Sequence, residues 1–163
     1  MRARIIVTGG TFDKEYDELA GTLSFKTTHL PEMLALGRCK LPVVVQALMM
    51  KDSLHMTAKD RAKILTACRR APESRVVVTH GTDTMAETAA VLGRALSGKT
   101  VVLTGAMRPY RFGSSDGLFN LGSALSFAQA LPPGVYIAMN GLVFPWDDAR
   151  KDKRRGVFTR RAK

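Results

Sequence analysis

Five short apolar runs punctuate this chain, and most of them end in a turn built from glycine and hydroxyl residues. The runs are Arg4 to Val7, Pro42 to Leu48, Arg75 to Thr79, Lys99 to Thr104 and Val135 to Met139. Each is too short for a buried helix and rich enough in β-branched residues for a strand covered on both faces. Between them lie helical patterns: Pro31 to Gly37, Thr57 to Arg70, Thr84 to Leu96 and Asp116 to Leu131. Thr57 with Asp60 three residues on reads as an N-terminal cap, and Pro132-Pro133-Gly134 stops the last helix. Gly141 to Phe144 is read as a short extra strand. This alternation predicts an α/β fold with a doubly wound, mainly parallel sheet of the Rossmann or flavodoxin-like kind. In such sheets a ligand sits at the carboxyl ends of the strands, where the hydroxyl-rich turns fall.

The chain has 163 residues, enough for a single domain with one core. The expected boundary places residues 1–158 in the domain and 159–163 in a basic, disordered tail. No apolar run approaches the roughly 20 residues that span a bilayer. The opening MRARIIVTGG is read as a first strand rather than a signal peptide, because its apolar stretch is too short. Cys39 and Cys68 stand in no metal-ligand spacing and are read as reduced thiols, Cys68 as core packing. A cytoplasmic location is expected.

The formal net charge is +11, with much of it between Arg150 and Lys163. Such a charge favours anionic partners. The run itself is read first as a solvated tail; nucleic-acid binding is disfavoured because no aromatic platform accompanies it.

Four turns carry the candidate chemistry. In Thr8-Gly9-Gly10-Thr11 two glycines let the backbone approach a ligand, and Thr11 presents a hydroxyl. A threonine attacks only if a base takes its proton and donors hold the oxyanion. The competing readings are a phosphate loop or a plain turn, but neither GxGxxG nor GxxxxGK[ST] is present. Thr79-His80-Gly81-Thr82-Asp83 leads from a buried strand into a helix. Asp83 is either a helix cap or a carboxylate for a substrate ammonium, and His80 either a general base or, preferably, a packed core histidine. Lys51-Asp52-Ser53 supplies a hydroxyl suited to a carboxylate, or ordinary turn chemistry. Gly105-Ala106-Met107-Arg108-Pro109 closes the set, with Arg108 read as a tie between loops.

Together the strings IIVTGGTF (Ile5 to Phe12), DSLHMT (Asp52 to Thr57), VVVTHGTDTMAETA (Val76 to Ala89), VVLTGAMRP (Val101 to Pro109) and SSDGLFNL (Ser114 to Leu121) resemble the bacterial-type L-asparaginases, in the family's order. The resemblance implies an amidohydrolase that deamidates L-asparagine without metal or organic cofactor. It implies Thr11 as nucleophile, Thr82 and Asp83 as a second catalytic group with a downstream lysine, and Tyr16 as the assisting tyrosine. Asp148-Ala149-Arg150-Lys151 matches the lysine segment, so Lys151 is the candidate and Lys153 the fallback. Substrate contacts fall to Gly10, Asp52, Ser53, Thr82, Asp83 and Ala106, with oxyanion donors at the amides of Gly10, Thr11 and Thr82. Members of the family typically run to about twice this length, so the chain resembles its single-domain short forms. That implies fewer substrate contacts, a high KM, low glutaminase activity and a tendency to homo-oligomerise. The alternative is a non-catalytic amino-acid-binding or partner-chain module derived from such a domain.

Overall fold

The computed structural model describes residues 1–161. In chain order the strands and helices are β1 (Ala3–Gly9), β2 (Lys14–Asp17), β3 (Thr22–Phe25), α1 (Leu30–Leu36), β4 (Val43–Lys51), α2 (Ala58–Arg70), β5 (Arg75–Thr79), α3 (Met85–Ala95), β6 (Thr100–Thr104), α4 (Gly117–Ala130), β7 (Gly134–Met139), β8 (Leu142–Pro145), β9 (Arg150–Asp152) and β10 (Val157–Thr159). Short 3-10 turns occupy Thr11–Asp13, Ser53–His55 and Tyr110–Phe112.

The main sheet has six strands in the order β4-β1-β5-β6-β7-β8. All neighbours are parallel except β7 with β8. This is the doubly wound order expected of an alternating β/α chain, and its direction reverses at β1. Successive strand residues face opposite sides. Ile6, Val76, Val78 and Leu103 therefore pack with Ile64 and Leu92 of α2 and α3. Ile5, Val7, Val77 and Val102 pack with Met33 and Leu121 of α1 and α4. The Thr57–Asp60 capping box that starts α2 is formed in both directions, and Lys51 Nζ adds a 2.6 Å ion pair to Asp60 Oδ2. Both cysteines are free; Cys68 is buried in the α2–α3 layer, where desolvation pushes its thiol up to about 12.

Two antiparallel hairpins, β2–β3 and β9–β10, were not legible as apolar runs. Their strands are KEYD with TLSF, and RKD with VFT. The same turn closes both. In Asp17-Glu18-Leu19-Ala20-Gly21, Asp17 Oδ1 accepts from the amides of Leu19 and Ala20, and the Gly21 amide donates to the Asp17 carbonyl at 2.8 Å. In Asp152-Lys153-Arg154-Arg155-Gly156, Asp152 Oδ1 accepts from Arg154 and Arg155, and Gly156 donates to the Asp152 carbonyl at 2.9 Å. The basic run read as solvated tail is therefore a folded hairpin from Arg150 to Thr159, anchored by buried Phe158. Arg160 and Arg161 follow it by bonding Asp148. Ala162 and Lys163, the end of the expected tail, lie outside the described residues. Among the described residues no helix is long and apolar enough to cross a membrane.

Candidate active site

The carboxyl ends of β1 and β5 lie side by side, and glycine brings their turns into backbone contact. Gly10 has φ 85°, in the left-handed region. A Cβ built there would lie 2.4 Å from the Gly81 amide nitrogen and 2.6 Å from its Cα. At Gly81 a Cβ would lie 2.5 Å from Ser53 Oγ. The turns after β1, β4 and β5 thus interlock at the point where the sheet changes direction. The Gly10 amide donates to the Lys51 carbonyl at 3.1 Å. It is thereby spent on holding two turns together, which corrects its assignment as an oxyanion donor. The amides of Thr11 and Thr82 have no such partner among the described residues.

The turn after β5 carries the densest polar cluster. Lys151 Nζ donates to Thr82 Oγ1 at 2.8 Å and to Asp83 Oδ1 at 2.7 Å. Thr82 is buried, the Lys151 side chain is 13% exposed and that of Asp83 36%. Lys151 reaches this cluster because β9 pairs it in register with Phe158, whose buried ring seats the hairpin on the core. Lys153, the alternative lysine, lies exposed in the hairpin turn.

Thr11 opens the 3-10 turn after β1 and is half-buried, with no side-chain hydrogen bond among the described residues. Ser53 is buried, and its hydroxyl likewise has no protein partner. A desolvated, unpaired hydroxyl against a glycine turn is an unfilled donor and acceptor facing the junction of the turns. Asp52 is differently employed. Its Oδ1 accepts from the Leu54 amide at 3.0 Å, and its Oδ2 pairs with Lys14 Nζ, which staples the β2–β3 hairpin to the turn after β4. Tyr16 rides on that hairpin opposite Leu23 and is 57% exposed.

Ala106 is buried beyond β6. Its loop is shaped by two residues whose roles were not apparent from the sequence. Asp116 accepts from the amides of Met107 and Arg108, each at 3.0 Å. Asn120 donates to the Gly105 carbonyl and to Asp116 Oδ2, both at 2.9 Å, and accepts from the Asn140 amide. An Asp and an Asn four apart at a helix start share one face, which was the available signal. Arg108 Nη1 donates to Ser114 Oγ at 3.2 Å within the same loop.

His80 is fully buried. Its Nδ1 lies 2.7 Å from the Gly81 carbonyl and its Nε2 2.8 Å from Thr88 Oγ1. A carbonyl only accepts, so Nδ1 carries the proton and Nε2 accepts from the Thr88 hydroxyl. Both nitrogens are engaged, and desolvation pushes the imidazole down to about 4. This is a packing histidine, not a base. The shift has a consequence for stability. Between about pH 6.5 and pH 4 the unfolded chain takes up a proton that the folded chain refuses. The stabilisation is complete above that window and is lost as pH falls, by up to about 1.4 kcal/mol per pH unit and about 3 kcal/mol in all. Burial raises the Asp13 carboxyl, which acts in the opposite sense near the acid end. Urea unfolding from pH 7 to pH 4 on wild type and His80→Asn isolates the histidine: the wild-type slope is expected to flatten in the variant.

Among the described residues no group of three or more His, Cys, Asp or Glu side chains is placed to hold a metal ion. The fold and the site together define a doubly wound α/β protein whose hydroxyl turns and an inserted lysine converge at the sheet's switch point. The chain belongs to the asparaginase family: residues 2–159 match the family model described as Asparaginase, N-terminal. The probable periplasmic L-asparaginase of Haemophilus influenzae is 34% identical over 95% of this chain and 47% of its own length. One component of the glutamyl-tRNA(Gln) amidotransferase of Methanococcus vannielii is 31% identical over 96% of this chain and 38% of its own. Among solved structures, the thermostable L-asparaginase from Thermococcus kodakarensis superposes with a TM-score of 0.87 at 28% identity, covering 98% of this chain and 51% of that one. The chain thus spans about half the length, or less, of these relatives.

Proposed function

We propose that this chain is an amidohydrolase that deamidates L-asparagine to L-aspartate and ammonia through an acyl-enzyme on Thr11. The observation that carries the reading is the Lys151–Thr82–Asp83 cluster, joined through the Gly10–Gly81 contact to the turn that bears Thr11. Thr11 Oγ attacks the side-chain amide carbon. Its proton passes to Tyr16 or, through a water, to Thr82, and on to the departing ammonia. Thr82 acts as a relay, giving its own proton towards the departing nitrogen as it takes the one from Thr11, while Lys151, bonded to Thr82 and Asp83, orients the hydroxyl and offsets the negative charge that develops on it. The amides of Thr11 and Thr82 stabilise the oxyanion. Water then cleaves the β-aspartyl ester. Asp83 pairs with the substrate ammonium, and the unpaired hydroxyl of Ser53 meets its carboxylate. Asp83 is already shared with Lys151 and partly solvated, so ground-state binding is weak and KM high.

The test is ammonia release from L-asparagine, D-asparagine and L-glutamine over a wide concentration range. Release from L-asparagine, saturating only at high substrate, supports the reading. Saturable asparagine binding with no ammonia from any substrate would make the chain a binding module. A preference for glutamine would favour a second reading, an amide-cleaving part of an amidotransferase, in line with the Methanococcus vannielii relative.

Lys151 and Lys153 separate cleanly. Lys151→Met is expected to lower kcat by about 100-fold to 10,000-fold, the range of a lost proton-transfer group. Lys153→Ala is expected to leave kcat within about twofold, because the residue is exposed in a turn. Steady-state kinetics on the two variants checks both.

A further inference from the structure

The strand at the open edge of the sheet, β4, is unusual for such a position. It runs nine residues, VVVQALMMK, with a single charge at its end, and its outer edge has no pairing strand among the described residues. Folded proteins blunt edges of this length with charges, proline or bulges, because unpaired amides and carbonyls recruit another strand. Here the bulge-like register shift comes only near the end, between Val7 and Gly9 of the partner strand. Its side chains are half-buried, with Ala47 exposed, where those of β5 and β6 are almost all buried.

Beside this edge, on the α2 side, lies a groove of about 670 Å³. Leu48, Ala62, Ala67 and Pro72 contribute its apolar surface. Lys59, Lys63 and Arg70 line it from α2, at positions i, i+4 and i+11, which share one helix face. All three are exposed and have no acidic partner among the described residues. The carboxylates nearby are already used: Glu73 pairs with Arg4 at 2.7 Å and with Arg2 at 3.6 Å, and Asp60 pairs with Lys51.

We propose that the edge of β4 and this groove dock an extended acidic polypeptide segment as an added strand. Its backbone pairs with β4. Alternate side chains are carboxylates facing the α2 stripe, and those between are apolar, beside Val43 and Val45 on the opposite face, where these two pack against the α1–α4 layer. The lengths agree: eleven residues of helix span about 16 Å, and five residues of strand about the same. A second copy of the chain fits less well. Pairing β4 with β4 about a twofold axis brings two basic helix faces to one side of the joined sheet, in a protein of net charge +11. Single-stranded nucleic acid fits less well too, because the groove has no aromatic ring for bases to stack on.

The probe is a fluorescein-labelled peptide, Glu-Val-Glu-Val-Glu-Val-Glu, titrated by anisotropy at low and at physiological ionic strength. Binding is expected, weakening with salt. It should fall at least about tenfold in a Lys59→Glu, Lys63→Glu, Arg70→Glu triple variant with an unchanged thermal midpoint. Amides of residues 43–51 should gain hydrogen-exchange protection in the complex. A Lys-for-Glu version of the peptide should not bind. The proposal is overturned by absence of binding at low salt, by equal binding to the triple variant, by binding without protection of β4, or by a 15-nucleotide oligouridine that competes fully for the site.

Discussion

Thr11→Val is expected to remove ammonia release from L-asparagine, by at least about 10,000-fold in kcat, while the protein stays folded. The size follows from the role proposed for the residue. Without a nucleophilic hydroxyl no ester can form, and only binding and oxyanion contacts remain, which in comparable hydrolases leave little above background. The fold survives because valine keeps the branched shape and because the Thr11 hydroxyl holds no hydrogen bond among the described residues. Unfolding should therefore shift by no more than about 1 kcal/mol. Thr11→Ser keeps a hydroxyl and should retain measurable turnover. The measurements are a coupled ammonia assay and a thermal melt on the same preparations. Wild-type turnover in the valine variant would remove Thr11 from the mechanism.

Gly10→Ala is expected to cost at least about 3 kcal/mol of stability. Two costs combine. The backbone stands at φ 85°, where an L-residue is strained, and the new Cβ would overlap backbone atoms of Gly81 and His80 rather than a side chain that could rotate away. For a chain of this size that is a fall of about 6–12 °C in melting temperature. Gly98 provides the control. It also has a positive φ, 71°, but nothing lies within 4 Å of the added carbon. Gly98→Ala should cost only about 1 kcal/mol. If the two variants melt together, the backbone contact between the turns after β1 and β5 is not what the geometry indicates.

The alternation of apolar runs and helical faces foretold the central sheet, both helix layers and each main strand to within a few residues, because burial on two faces demands a continuous β-branched run. What it could not show were β2–β3 and β9–β10. Their strands are short, charged and half-exposed, so no apolar period marks them. The two Asp-x-x-x-Gly turns, DELAG and DKRRG, were written in the chain, but a turn pattern gains meaning only when strands flank it. Lys151 illustrates the difference. The family-like segment Asp148 to Lys151 puts it ahead of Lys153, but nothing local to the basic run says how it reaches a distant turn; the register with Phe158 carries it to Thr82 and Asp83.

His80 and Gly10 mark the same boundary from the other side. A histidine before a glycine turn reads as base or as core until Thr88, eight residues on, is found against its Nε2. Gly10 reads as a donor until its amide is found on the carbonyl of Lys51, at the end of β4. By itself the sequence determined the layers of the fold, the set of turns that hold hydroxyl groups and the family to which they belong, since these depend on local period and local composition. The tertiary structure alone decided how Lys151 is carried to Thr82, which amides remain free and which polar groups are merely satisfied. Those outcomes depend on register and on close approach between segments distant in the chain, and neither has a local signature.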